Sequence, residues 1–186
     1  MLNDATTALS LLATRRSGKP RELVAPGPDA AQLATILAVA ARTPDHGKLA
    51  PWRFVVIEDR TAFAAMLHAA AKGDDDAPGG GGLDQFAQQA PTLVAVLSTP
   101  QGDKIPRFDQ RLSAGAACQN LLLAAHALGF AGGWLTGWAA GSRAVVEALG
   151  GGKHDRIAGF LFLGTLAKQP PERPRPDPSA IVRSWP

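Results

Sequence analysis

Residues 109–129, DQRLSAGAACQNLLLAAHALG, carry no Lys, Arg, Asp or Glu after Arg111. Nothing else in the chain constrains its fold as strongly. About 20 helical residues span about 30 Å, the width of a small domain. A helix apolar on nearly every side has no face to give to water, so it belongs at the centre of the fold or in a subunit interface. One half is small, at Gly115, Ala116, Ala117 and Cys118, and the other is bulky, at Leu121, Leu122 and Leu123. The small half lets another backbone come close, and Gly129 is the residue that ends such a helix. The run that follows, FAGGWLTGW at 130–138, reads as a strand leading into a glycine-rich mouth.

The other elements hang on this pair. Asn3 or Asp4 is expected to cap a first helix with Ala5, Leu9 and Leu12 on one face. Pro28-Asp29 opens a second, with Gln32 as a capping-box partner, and Pro44 stops it. A strand is expected over 52–57, and Asp59 caps a third helix in which Phe63, Met66, Leu67 and Ala70 align. Residues 72–82 are acidic and glycine-rich; without a preceding strand or a following Lys-Ser/Thr they form a surface loop and not a phosphate cradle. A short helix at 83–89, a strand at 92–98, a helix capped by Ser142 and an interior strand at 157–164 complete the domain. The tail, 167–186, holds six of the fifteen prolines. It reads as non-helical, ending in an edge strand anchored by Trp185 and tied down against another surface.

A chain of 186 residues is expected to form one domain, 1–166, with 167–186 as an extension. No apolar run reaches membrane-spanning length, and the N-terminus has the wrong charge order for a secretory signal. A single cysteine fits a reducing cytoplasm. The sequence pI is about 9.4, but the basic residues are scattered, which argues against nucleic acid and suits an anionic small molecule.

Three clusters can carry chemistry. Arg15-Arg16-Ser17 closes the first helix; alone, the pair need only complement a helix dipole, but two guanidinium forks and a hydroxyl also suit a phosphate monoester. Arg42, His46 and Lys48 gather in one loop ahead of Pro51-Trp52. His46 has no second ligand at metal spacing, and Cys118 lies within the apolar helix, so neither a metal centre nor a nucleophile is expected. Gly132-Gly133-Trp134-Leu135-Thr136 is a strand whose glycines leave room for a neighbouring backbone or a flat ligand.

Together with Pro106-Arg107 before Ser113-Ala114-Gly115, these motifs follow in an order that resembles the nitroreductase family, in its compact FMN-dependent branch. The likeness runs from about Ala8 to Trp185. It implies an α+β homodimer, a three-layer sandwich with a mixed sheet flanked by helices and a C-terminal strand exchanged onto the partner subunit. It further implies FMN at the interface, held by Arg15, Arg16 and Ser17 at the phosphate, by Arg42 and His46, and by Trp134, Leu135 and Thr136 along the strand. Gln110 and Ser113 would reach the partner's flavin. The stretch Ala124, Ala125, His126, Ala127, Leu128 and Gly129 corresponds to one associated with NAD(P). Two positions depart from the family pattern: Ala50 stands where Gln or Asn is common, and Leu135 where a polar or basic residue is common. The activity implied is an NAD(P)H oxidoreductase passing electrons to nitroaromatic or quinone acceptors by ping-pong hydride transfer. The alternatives are dehalogenation or flavin cleavage on the same scaffold, or a non-enzymatic FMN carrier or sensor.

Overall fold

The computed structural model describes residues 1–185. Its spine is β5 (Arg156–Leu166), the long apolar strand. β3 (Thr92–Ser98) pairs along one edge of β5, and β2 (Trp52–Val56) pairs with β3. On the other edge β4 (Ala131–Leu135) opposes Phe160–Gly164, while β1 (Leu23–Val24) opposes Thr165 and Leu166. Every adjacent pair is antiparallel, which corrects the expected mixed sheet. The crossover from β3 does return the chain in the same direction at β4, but β5 lies between the two, so no parallel neighbours result.

Alternation along β3 and β5 divides the core in two. Val94, Val96, Leu161 and Leu163 face α2 (Ala30–Ala40) and α5 (Arg107–Ala127). Leu93, Ala95, Leu97, Phe160 and Phe162 face α3 (Arg60–Ala70), α4 (Gly80–Gln88), α6 (Gly137–Gly141) and α7 (Arg143–Ala148). The result is three layers, α/β/α, with both sheet faces covered. α5 is the central helix; Ala117, Cys118, Leu121 and Ala125 have no exposed surface. It ends as expected just before Gly129, whose φ of 87° only glycine adopts without strain.

Local signals hold where a side chain meets a backbone N–H. Asp29 and Gln32 form a capping box on α2, and Asp59 accepts from the Ala62 N–H at 2.8 Å. The first helix, α1 (Ala8–Thr14), departs from expectation, because its box is built by Thr7 and Ser10. Asn3 instead accepts the Arg16 N–H at 2.7 Å, and the Asp4 N–H donates to Thr14. Nor do Ala5, Leu9 and Leu12 face the core: Leu9 is 76% and Leu12 59% exposed, and only Leu11 turns inward.

Residues 72–79 form a surface loop as expected, but Gly80–Gly82 already belong to α4. Arg60 fixes the far end of α4 by donating to the carbonyls of Ala87, Gln89 and Ala90. Phe86 meets Phe160 and Phe162 edge-on. The tail carries no strand among its described residues. It forms a short helix, α8 (Pro178–Ile181), because Asp177 caps it and Pro178 sits at the one helical position that favours proline. Ile181, Val182 and Trp185 are exposed, so the expected edge strand and its Trp185 anchor are not formed within the chain. Pro186 lies outside the described residues. Among the described residues no helix is long and apolar enough to cross a membrane.

Candidate functional site

The turn after α1 is docked onto the sheet. The Gly18 N–H donates to the Gly132 carbonyl at 3.1 Å, bringing Arg15, Arg16 and Ser17 to the open side of β4. This approach needs glycine at 133, where a Cβ would lie 2.7 Å from the Gly18 carbonyl oxygen. The next residue, Trp134, lays its indole over Gly159, where any side chain would occupy the ring's place, and reaches toward Gly115 of α5. Its Nε1–H donates to the Ala158 carbonyl at 3.0 Å, which fixes the plane of the ring. Turn and strand enclose a cleft of about 320 Å³, with Arg15, Arg16, Ser17 and Lys19 at one end and Trp134 and Leu135 along its wall.

That end is strongly cationic. Arg15 Nη1 donates to the Ser17 hydroxyl at 3.0 Å, and Arg16 Nη1 to the Ser17 carbonyl at 3.1 Å. The tail crosses over the pair: the Pro171 carbonyl accepts from Arg16 Nε, and Arg175 donates to the Arg15 carbonyl. Burial, and then the charges of Arg175, Arg16 and Arg173, hold Arg15 below the ordinary arginine value. Arg15, Arg16, Arg173 and Arg175 thus crowd together, with Glu172 paired to Arg175 at 3.0 Å and Glu22 to Lys19 at 3.1 Å. A donor set of this kind fits a phosphate monoester, whose charge would relieve the crowding. Beneath it His126 is buried, its ring Nδ1 3.0 Å from the Phe130 carbonyl. Burial pulls the imidazole down to about 4, so it stands neutral there.

The remaining expected residues lie elsewhere. Arg42 and His46 are exposed and do not border the cleft. His46 Nδ1 is 3.3 Å from Asp109, near the start of α5, about 15 Å along the helix from the cleft residue Gln119. Asp45 shapes that loop by accepting from the Leu49 and Ala50 N–H groups, and Ala50 takes a left-handed φ of 46° that Asn enters more readily. Gln110 does not reach outward: it is buried, and its amide is spent on the Gln101 N–H and the Gln101 and Ile105 carbonyls. Ser113 donates back to the Asp109 carbonyl of its own helix. Of the stretch expected to meet NAD(P), Ala124, Ala125 and His126 are buried, and Ala127, Leu128 and Gly129 do not border the cleft. Burial pushes the Cys118 thiol up to about 12, which removes it as a nucleophile.

The sequence profile of the nitroreductase family matches residues 12–165. The chain belongs to the nitroreductase family. It is 39% identical over 184 residues to the Escherichia coli K12 protein named "Putative NAD(P)H nitroreductase YdjA", covering 94% of this chain and 97% of that one. The fold is shared with a nitroreductase-like protein of Bacillus cereus at a TM-score of 0.83 and 22% identity, covering 97% and 96% of the two chains. It is also shared with the FMN- and NADPH-dependent nitroreductase NfnB of Sphigopyxis sp. strain HMH, at 0.74 and 20%, covering 96% and 99%. Membership places the chain among oxidoreductase enzymes.

Within this nitroreductase fold, two contributors escape sequence reasoning. Gly159 has no local signal, because the indole it seats is 25 residues away in sequence. Thr136 was expected beside the cofactor; it borders a second cavity between α4 and α6 that shares Trp134 and Leu135 with the arginine cleft. Trp138, at the end of the expected glycine-rich mouth and without an expected role of its own, lines that second cavity.

Proposed function

We propose that this chain is an FMN-dependent NAD(P)H nitroreductase that works as a homodimer on small electron-poor acceptors. One observation carries the reading: a single cleft joins a guanidinium cluster, four arginines around Glu172, to a flat tryptophan wall fixed by its own hydrogen bond. FMN has that shape and polarity, a phosphate at one end and a planar ring at the other. When bound, the flavin supplies the redox chemistry, taking hydride from NAD(P)H and passing it to nitroaromatic or quinone acceptors in alternating half-reactions. Arg15, Arg16 and Ser17 hold the phosphate, Trp134 and Leu135 line the ring, and Thr136 stands where the ring meets the adjoining cavity. No side chain need act as a nucleophile. Arg42 and His46, remote from the cleft of their own chain, serve the site by completing it from the partner subunit. The exposed apolar residues Leu9, Leu12, Val39 and Leu128 give such a partner a surface to cover. A reducing cytoplasmic setting is consistent with the lone buried Cys118.

The test is an absorption spectrum of the purified protein before and after anaerobic addition of NADPH. A flavin spectrum that bleaches supports the reading, whereas a flavin that neither NADH nor NADPH reduces would make the protein a carrier or sensor. Arg16→Ala is expected to weaken FMN retention by about tenfold to a hundredfold, as for a lost charge-assisted bond. Unchanged flavin content in that variant would remove the phosphate role.

A further inference from the structure

The second cavity, of about 430 Å³, is walled by Pro78, Leu83, Phe86, Leu135, Trp138 and Ala139, and no titratable side chain lines it. Its polar edges are the Thr136 hydroxyl and the indole N–H groups of Trp134 and Trp138, and both indoles are already spent. Trp134 donates to the Ala158 carbonyl, and Trp138 Nε1 donates to Asp74 Oδ2 at 2.8 Å. A charged ligand would therefore lose its water without gaining a partner, which is costly, and a carboxylate would also lie near Asp74. A neutral ring loses nothing of the kind and gains aromatic and aliphatic contact.

The Asp74–Trp138 bond also positions one side of this cavity. The loop and the start of α4 are rich in glycine, and around Gly79 and Gly81 there is open space, so packing does little to place them. Asp74 accepts the Asp76 N–H at 3.0 Å on its other oxygen, which tightens the turn presenting its carboxylate. The only other side-chain tie at this end of α4 among the described residues is His68 to Asp84, at 2.8 Å. Cutting the indole bond would free both the ring and the loop that carries Pro78.

We propose that Trp138, latched by Asp74, is a specificity-determining residue that makes this cavity a pocket for neutral planar aromatic acceptors and turns away aromatic carboxylates. The assignment rests on the flavoenzyme reading above. Its test uses FMN-loaded protein reduced with dithionite and mixed anaerobically with nitrobenzene or 4-nitrobenzoate, following flavin reoxidation. The native protein is expected to favour nitrobenzene by about tenfold or more, since both acceptors carry the same ring and only the carboxylate goes unpaired. Trp138→Ala should narrow that preference, because water reaches the carboxylate through the opened wall while Asp74 still faces it, with FMN content at the native level. Trp138→Phe and Asp74→Ala should each lose about threefold in apparent nitrobenzene affinity, the worth of one hydrogen bond. Combined they should lose little more than either alone, because both cut the same bond. Native selectivity in FMN-loaded Trp138→Ala overturns this inference and leaves the flavoenzyme reading standing. Loss of FMN from that variant also overturns it, since the cavity would then hold the cofactor. A native protein that binds no flavin overturns both.

Discussion

The expected site divides into two regions that are built differently. Around Trp134 every element is held by the chain itself: Gly18 is bonded to Gly132, the indole is seated on Gly159, and the guanidinium groups are crossed by their own tail. Around Arg42 the loop is well shaped by Asp45 yet faces water, and its side chains meet nothing of the cleft. The first region is a site in search of a ligand; the second is a set of functional residue types in search of a site. A family resemblance names both with equal force, but packing within one chain gathers only the first around a cleft.

The comparison would break most decisively at Gly159. A Cβ there cannot coexist with the Trp134 indole, and both belong to paired strands that have little room to shift. Gly159→Ala is expected to lower stability by about 3 kcal/mol, as overpacking does at its upper range, and to displace the ring from the cleft. Urea unfolding and FMN content should fall together. Gly81→Ala, where a Cβ meets open space in the first turn of α4, should keep the flavin and cost no stability. If Gly159→Ala kept native stability and flavin, the cleft would not depend on the seated indole.

A smaller effect tests what lies beneath the arginines. His126 stands at about 4 when folded, chiefly through burial, against an ordinary value of 6.5. A base depressed by folding must stay deprotonated to fold, so its contribution is complete above 6.5 and declines as pH falls toward 4. By pH 5 the loss is about 2 kcal/mol. Urea unfolding at pH 7.5 and pH 5 should show this slope in the native protein and a flatter one in His126→Phe. Equal slopes in the two would mean that the imbalance lies elsewhere.

The signals that could be read in the sequence were those confined to a few residues. Asp29 with Gln32 and Asp59 each settle a helix start through bonds to residues three places on, and Gly129 ends α5 through its own positive φ. That Arg15, Arg16 and Ser17 come together at one cleft was legible for the same reason, since one short turn carries all three. What failed depended on distance. Thr7 displaced Asn3 and Asp4 as cap because those two are drawn to residues 14 and 16. Gln110 looked free because the loop that consumes its amide folds back from 101 to 105. In the tail the place of a proline matters more than the number: Pro178 after Asp177 starts a helix as readily as Pro44 ends one. The exposure of Leu9 and Leu12 belongs to a third kind, for a lone chain cannot say what covers them.

The finest test asks which chain Arg42 serves. Arg42→Ala should weaken FMN binding by about tenfold, the worth of one outlying charge-assisted contact. If Arg42 acts across the dimer, mixing that variant with an Arg15→Ala/Arg16→Ala chain must restore function that neither possesses. Each mixed dimer then has one site with all its arginines, contributed by both subunits, and one site with none. With random exchange of subunits, roughly a quarter of all sites regain native affinity. If Arg42 acts within its own chain, every site in the mixture lacks one set or the other, and titration with FMN finds no high-affinity fraction. The amplitude of that fraction decides whether the two regions are halves of one site or unrelated parts of the surface.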